Sequence, residues 1–208
     1  MIDLYYWPTS NGRKISIMLE EVGLPYNLHL INIGKDDQFK PEFVAVNPNS
    51  KIPAIVDQEG PEGRPYTLFE SGAILIYLAE KTGRFMPADS ANRFQVIQWL
   101  MFQMGGVGPM FGQVHHFRQF TDEQQPYGRK RYGTELRRLY GVLDAHLAKN
   151  EYMHGEYGIA DMAIFPWVLR YEWHPVKWGE EFPNVKRWFD AINVRPAVQR
   201  ALKVGVAA

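Results

Sequence analysis

The chain has 208 residues, with Lys+Arg and Asp+Glu balanced at 23 each and hydrophobic residues at 46%. That length suits one large domain or two modest ones with a real core, and the even charge excludes the basic surface of a nucleic-acid binder. Cysteine is absent, which excludes a disulfide framework, a thiolate zinc site and a thiol nucleophile carried by the protein.

No apolar run approaches the ~20 residues that span a bilayer. The opening Met1-Ile2-Asp3-Leu4-Tyr5 lacks the basic and apolar regions of a signal peptide. A cytoplasmic protein without membrane attachment is expected.

Ile2 to Trp7 reads as a short buried strand ended by Pro8. A polar turn follows at Thr9-Ser10-Asn11-Gly12. Ile15, Met18, Leu19 and Val22 then fall at offsets 0, 3, 4 and 7, one apolar helix face that stops at Gly23. Tyr26 to Ile33 alternates as a second strand. Gln38 lies in a polar loop, and a helical turn is expected around Phe39 to Val46. Ala54 to Asp57 and Tyr66 to Phe69 read as two further strands around a turn at Gly60 to Pro65. Ser71, a good N-cap residue, opens a helix carrying Ile74, Leu75 and Leu78 on its inner face and ending near Gly83. This order predicts a thioredoxin-like α/β domain over 1–83 and a linker over 84–91.

Residues 92–208 read as an all-helical domain. Ile97, Leu100, Met101 and Met104 form one stripe, and Gly105-Gly106-Val107-Gly108-Pro109 is expected to kink or break that helix. Leu136, Leu139, Tyr140, Leu143 and Leu147 form another. Asp161 to Tyr171 is apolar almost all round, as in a central buried helix. Pro183 and Pro196 each suit the first turn of a further helix.

Three segments carry chemistry. In Lys51-Ile52-Pro53, a trans bond gives a plain strand start, whereas a cis bond turns the Ile52 main chain sideways to pair with an extended peptide. In Glu70-Ser71, a carboxylate beside a helix start suits the ammonium and carboxylate of an α-amino acid; an ordinary capped helix with an exposed Glu is the simpler alternative. In Thr9-Ser10-Asn11, short polar groups at a helix N-terminus either cap the turn or steady a thiolate brought by a ligand. A free thiol titrates near ~8.5, and each unit of lowering takes about 1.4 kcal/mol of interaction, within reach of two or three donors.

His115-His116 is expected to take a structural role or one in a pocket of the second domain. Neighbours on a helix diverge by about 100°, and no third ligand has matching spacing, so no metal site is expected.

Taken together, these segments resemble the soluble glutathione transferase superfamily, and within it the Nu class of bacterial disulfide-bond reductases. The transferase-like domain of the yeast nitrogen-regulating prion protein is a relative of that class. The likeness runs through Pro8 to Gly12, Leu19-Glu20-Glu21, Gln38 to Phe43, Asn47 to Asp57, Leu68 to Leu75, Gly105 to Met110, Gln113 and His115-His116-Phe117.

The resemblance implies that Thr9 and Asn11 face the sulfur of glutathione. It also implies that Gln38 and Lys51 reach its glycine end, that the Ile52 main chain pairs with its cysteinyl unit, and that Glu70 and Ser71 hold its γ-glutamyl end. Arg131 matches an arginine that reaches ligand from the helical domain. Two departures stand out. Ser10 occupies a position where proline is usual. Gly158 occupies one where a Ser or Thr cap answers Asp161, leaving that capping box half absent.

The implied activity is glutathione-dependent disulfide reduction by the thiolate of bound glutathione, with hydroperoxide reduction as a side reaction. Two reduced molecules or one oxidised molecule would occupy each site of a homodimer. Conjugation of electrophiles is the alternative reaction, and a non-catalytic glutathione-binding regulator the alternative of another class.

Overall fold

In the computed structural model, which describes residues 1–121 and 123–206, the chain forms two compact units. The first comprises Met1–Arg84 together with the segment from Arg195 onward, and the second is Phe85–Val194. No helix of the described residues is long and apolar enough to cross a membrane.

The first unit holds a four-stranded mixed sheet of β1 (Ile2–Tyr6), β2 (Tyr26–Leu30), β3 (Ala54–Asp57) and β4 (Tyr66–Phe69), in the order β2-β1-β3-β4. β1 runs parallel to β2 and antiparallel to β3, and β4 is antiparallel to β3. Ile2, Leu4 and Tyr6 are buried on one face of β1, with Asp3 and Tyr5 on the other, the alternation a pleated strand imposes. Helices α1 (Ser10–Val22), α2 (Pro41–Val44) and α3 (Ser71–Thr82) complete this thioredoxin-like layer. The expected second strand stops at Leu30, three residues short of Ile33.

Register decides what this sheet can present. Tyr6 pairs with Leu30, Tyr5 with Ala54, and Ala54 with Phe69. The ends of β1, β2 and β4 and the start of β3 therefore share one edge. The segments leaving that edge are Thr9–Asn11, the loop carrying Gln38, Ile52 and Glu70-Ser71.

Helix α10 (Pro196–Ala201) packs on α1. Arg195 Nε donates to Glu21 at 2.6 Å, Arg200 Nε to Glu20 at 2.8 Å, and Ser16 Oγ to the Ala201 carbonyl at 3.4 Å. By contacts, the segment after Arg195 thus joins the first unit, whereas the sequence pattern groups it with the helices of 92–208. Helix periodicity shows that a segment has a buried face, not what covers it.

The second unit contains α4 (Ser90–Phe102), α5 (Gly108–His115), α6 (Pro126–Leu147), α7 (Ile159–Val168), α8 (Trp178–Glu181) and α9 (Pro183–Asn193). Instead of breaking, the glycine-rich stretch forms a π-helical turn over Gln103–Val107 that leads directly into α5. A Cβ on Gly108 would lie 2.7 Å from Gln103 Nε2, so glycine there leaves room for the buried Gln103 side chain.

Helix α7 is the buried centre of this unit. Gly158 at its cap has a structural reason: a Cβ there would lie 2.8 Å from the Phe85 carbonyl oxygen, which accepts the Ile159 N–H at 3.1 Å. Asp161, buried at 1% exposure, does the capping alone. Its carboxylate accepts from Gly158 N at 3.0 Å, Met153 N at 2.9 Å and Trp188 Nε1 at 2.7 Å. Burial raises its pKa to about 6, and the three donors pull the other way.

His115 Nε2 lies 2.9 Å from His174 Nε2, and Tyr140 Oη lies 2.7 Å from His174 Nδ1, a buried relay inside the unit. Burial pushes both histidines well below the usual imidazole range, so the relay is uncharged. His116 points elsewhere and is exposed.

Asp161→Ala orphans three buried N–H donors and is expected to lower unfolding stability by about 3–5 kcal/mol, measured by urea titration. Gly158→Ser, which restores the usual cap, is expected to destabilise by about 1–2 kcal/mol because of the Phe85 carbonyl. Asp3 accepts from His29, Asn27 and Gln58, which hold its pKa down to about 2. Its contribution is present above the unfolded carboxylate pKa of ~3.9 and is lost as pH falls through about 2. Asp3→Asn should therefore flatten the acid limb of a stability-versus-pH curve, by less than about 1 kcal/mol given its exposure.

Candidate functional site

Four segments meet at the shared edge of the sheet, and each is built by a local constraint. Thr9 is the N-cap of α1, with Oγ1 accepting from Gly12 N at 3.2 Å. That bond uses an oxygen lone pair and leaves the Thr9 O–H to donate. The half-buried Asn11 amide bonds to no other described residue, so it too can serve a ligand. Gly12 is obligatory: a Cβ there would sit 2.1 Å from the Trp7 carbonyl oxygen. The helix therefore starts hard against the end of β1, and its first N–H groups face the edge. Ser10 is buried at 7% exposure in the first turn of α1.

The Ile52-Pro53 bond is cis. Ile52 lies just before β3, outside the ladders, and neither its N–H nor its C=O bonds to another described residue. Buried Asn47 supports the turn from beneath, donating to the Lys51 carbonyl at 2.6 Å and accepting from Asn49 N at 2.9 Å. The Lys51 side chain itself is exposed.

At the next segment the expected cap needs correction. Glu70 is the N-cap of α3, at φ 70° and ψ 111°, and its carbonyl accepts the Ile74 N–H at 2.9 Å. Ser71 is the first helical residue. A non-glycine residue at positive φ costs on the order of 1–3 kcal/mol, a cost found at sites where orientation matters. The turn leaves the Glu70 carboxylate exposed. Ser71, at 4% exposure, points inward, where Lys14 Nζ donates to its Oγ at 3.1 Å.

Periodicity did not single out Lys14. It sits on α1 at 0% exposure. Burial lowers its ammonium pKa to about 7, and the nearby Glu70 charge opposes that fall. A basic residue inside an apolar stripe reads as surface in a sequence, so no pattern points to it.

Gln38 lies in a short 3₁₀ turn over Asp37–Phe39. Its Nε2 donates to Asp36 at 3.4 Å, and its Oε1 is buried without a partner. Six of the eight expected residues, Thr9, Asn11, Lys51, Ile52, Glu70 and Ser71, thus adjoin one edge of the first unit, and Gln38 lies further along the loop that leaves β2 there. Arg131 belongs to the second unit. It is exposed on α6 and lines a cavity of about 670 Å³ with Met110, Tyr127, Lys130, Tyr132 and Thr134.

Chemically, the edge offers hydroxyl and amide donors at a helix start, an unpaired main-chain segment, and a carboxylate next to a second helix start. That set suits an extended peptide bearing an anionic atom at one point and an α-amino acid group at its end.

Comparison with known proteins agrees with this geometry. The family description "Glutathione S-transferase, N-terminal domain" matches residues 10–81, and "Glutathione S-transferase, C-terminal domain" matches residues 97–196. The disulfide-bond oxidoreductase YfcG of Escherichia coli is 48% identical over 204 residues, covering 97% of this chain and 94% of its own. A Pseudomonas putida glutathione transferase, solved with one glutathione disulfide per subunit, is 50% identical with a TM-score of 0.94, covering 99% of this chain and 92% of its own. A Burkholderia graminis glutathione transferase, solved with two glutathione molecules per subunit, is 49% identical with a TM-score of 0.93, covering 100% of this chain and 89% of its own. The chain belongs to the glutathione S-transferase family of enzymes.

Proposed function

We propose that the chain is a glutathione-dependent disulfide-bond reductase whose nucleophile is the thiolate of bound glutathione. The observation that carries this reading is the start of α1. Thr9 and Asn11 both retain donors for a ligand, beside a helix N-terminus, in a protein that has no cysteine.

The chemistry then follows. Donors from Thr9, Asn11 and the helix N–H groups stabilise the sulfur anion, lowering its pKa toward neutrality. The thiolate attacks one sulfur of a substrate disulfide, forming a mixed disulfide and expelling the other sulfur as a thiolate. A second glutathione thiolate attacks the glutathione sulfur of that species. Oxidised glutathione forms, and the remaining substrate thiolate leaves and takes up a proton. The protein needs no thiol of its own; it aligns three sulfurs. The two liganded relatives, one with glutathione disulfide and one with two glutathione molecules, support room for two such units.

The remaining assignments follow the same reading. Ile52 supplies its unpaired N–H and C=O to the cysteinyl main chain. Gln38 and Lys51 serve the glycine end, and Glu70 and Ser71 the γ-glutamyl end. Arg131, on the rim of the second unit's cavity, takes an anionic group of the ligand. Organic hydroperoxides, which accept the same thiolate attack, are secondary substrates. A cytoplasmic homodimer is part of this proposal, and the exposed Phe94 and Met101 on α4 are apolar surface available to a second subunit.

Thr9→Ala and Asn11→Ala are each expected to lower kcat for reduction of hydroxyethyl disulfide by glutathione about 10- to 100-fold, with the pKa of the bound thiol rising. Ultraviolet absorbance of the thiolate reads the latter directly. Full turnover in both variants would overturn the sulfur-stabilising role. Faster turnover of a small aromatic halide than of the disulfide would establish conjugation instead.

A further inference from the structure

The cavity of the second unit holds about 670 Å³, a volume usual for a small-molecule site. Most of its lining comes from the opening turns of α6. Tyr127, Lys130, Arg131 and Thr134 fall at offsets 0, 3, 4 and 7, a stripe on the face away from the buried Leu136, Leu139 and Leu143. Met110 of α5 lines it as well.

The charges around this cavity do not balance. Glu135 supplies its one carboxylate, and Arg138 donates to both oxygens, at 2.8 and 2.7 Å. Arg131 acts on the same carboxylate without a direct bond. Lys130 and Arg131 are exposed, and neither bonds to any described residue through its side chain. Lys130, Arg131 and Arg138 against Glu135 leave an excess of two positive charges. The first turn of α6 adds no acidic residue, although a helix start favours negative charge. This excess has no structural partner in the unit, and it suits an anion.

The rest of the lining is apolar. Tyr132 stacks on Phe117, with ring centroids 5.4 Å apart and planes at 16°, which steadies one wall. Tyr127 is 76% exposed and packs on no other described ring. Met110 offers a polarizable thioether that adapts to ring edges. A free aromatic ring beside unpaired cations fits a ligand with an acid group on an apolar body.

We propose, on the disulfide-reductase reading above, that this cavity selects the substrate: the preferred disulfides carry a carboxylate on an aromatic or bulky apolar body. Lys130 pairs with the carboxylate in the field of Arg131, and Tyr127, Tyr132 and Met110 hold the body. The chemistry is unchanged. Each turnover consumes two glutathione thiols and one disulfide and releases oxidised glutathione and two acid-bearing thiols.

The test follows glutathione-dependent reduction by the full-length protein of bis(para-carboxybenzyl) disulfide, its dicarboxamide, and dithiodipropionate, with uncatalysed rates subtracted. The first two differ in charge alone, and the third keeps the charge without the ring. In wild type, kcat/KM for the dicarboxylate should exceed that for the dicarboxamide about 5-fold or more. Added salt should narrow that preference. Lys130→Gln is expected to lower kcat/KM for the dicarboxylate about 3- to 5-fold, through KM, and to move the dicarboxamide by less than about 2-fold. Lys130→Glu should abolish the preference. Tyr127→Ala should lower both benzyl disulfides about 5-fold and leave dithiodipropionate within about 2-fold. Thermal unfolding confirms that each variant is folded.

Three results overturn the inference: equal kcat/KM for dicarboxylate and dicarboxamide in wild type, a preference that survives Lys130→Glu, or a Tyr127→Ala loss shared by dithiodipropionate. A wild-type protein that reduces none of these disulfides, nor hydroxyethyl disulfide, overturns the reductase reading itself. Reduction of all of them at equal rates leaves that reading standing and removes only the selectivity.

Discussion

An ammonium removed from water must be compensated, and the way Lys14 is compensated ties together the two ends of the proposed site. Its bond to Ser71 runs from α1 to α3 across 57 residues of sequence. Helix α1 begins at the turn assigned to the sulfur, and α3 begins at the turn assigned to the amino-acid end. Both helices start at the same edge of the sheet because β1 and β4 end there. With Gly12 pressing the start of α1 onto the Trp7 carbonyl, neither helix start can shift along its axis without disturbing buried contacts. A site built this way is rigid before any ligand arrives, which limits the ordering cost of binding.

The second unit uses the same physics around a different charge. Asp161 is fully enclosed and accepts from three donors that come from the α7 cap, the Met153 main chain and the Trp188 indole. A central helix as apolar as α7 has few polar features to fix its register, and one buried carboxylate with converging donors supplies that. The uncharged His115-His174-Tyr140 relay adds a further directional contact between α5, α6 and the segment before α8.

Much of this was legible in the sequence where the signal is periodic or local. The four strands, the stripe of Leu136, Leu139, Tyr140, Leu143 and Leu147, and the proline starts of α9 and α10 follow from spacing and from backbone restriction at proline. The misreadings share a different cause. Ser71 looks like a cap because its type suits one, but the positive φ of Glu70 moves the cap back by one residue, and dihedral strain leaves no mark in composition. Gly158 looks like a weakened cap because the sequence shows which side chain is missing and not the Phe85 carbonyl that forbids one. Lys14 drew no reading at all, because burial of a cation depends on a partner 57 residues away. Of the proposed site, the polar turn and Glu70-Ser71 were recognisable from local chemistry, whereas Gln38, Lys51 and Arg131 were singled out only through family resemblance.

The return of α10 to the first unit bears on the order in which the protein can be assembled. During synthesis on the ribosome, the whole of the second unit emerges before the strip that covers α1 and pairs with Glu20 and Glu21. Until then those two carboxylates lack their arginine partners, and the flank of α1 that meets α10 lies bare. A fragment ended at Arg84 would carry the complete sheet and every assigned ligand contact of the first unit, yet remain without its final cover. The nascent amino-terminal half therefore keeps that flank of α1 uncovered until α10 has been made.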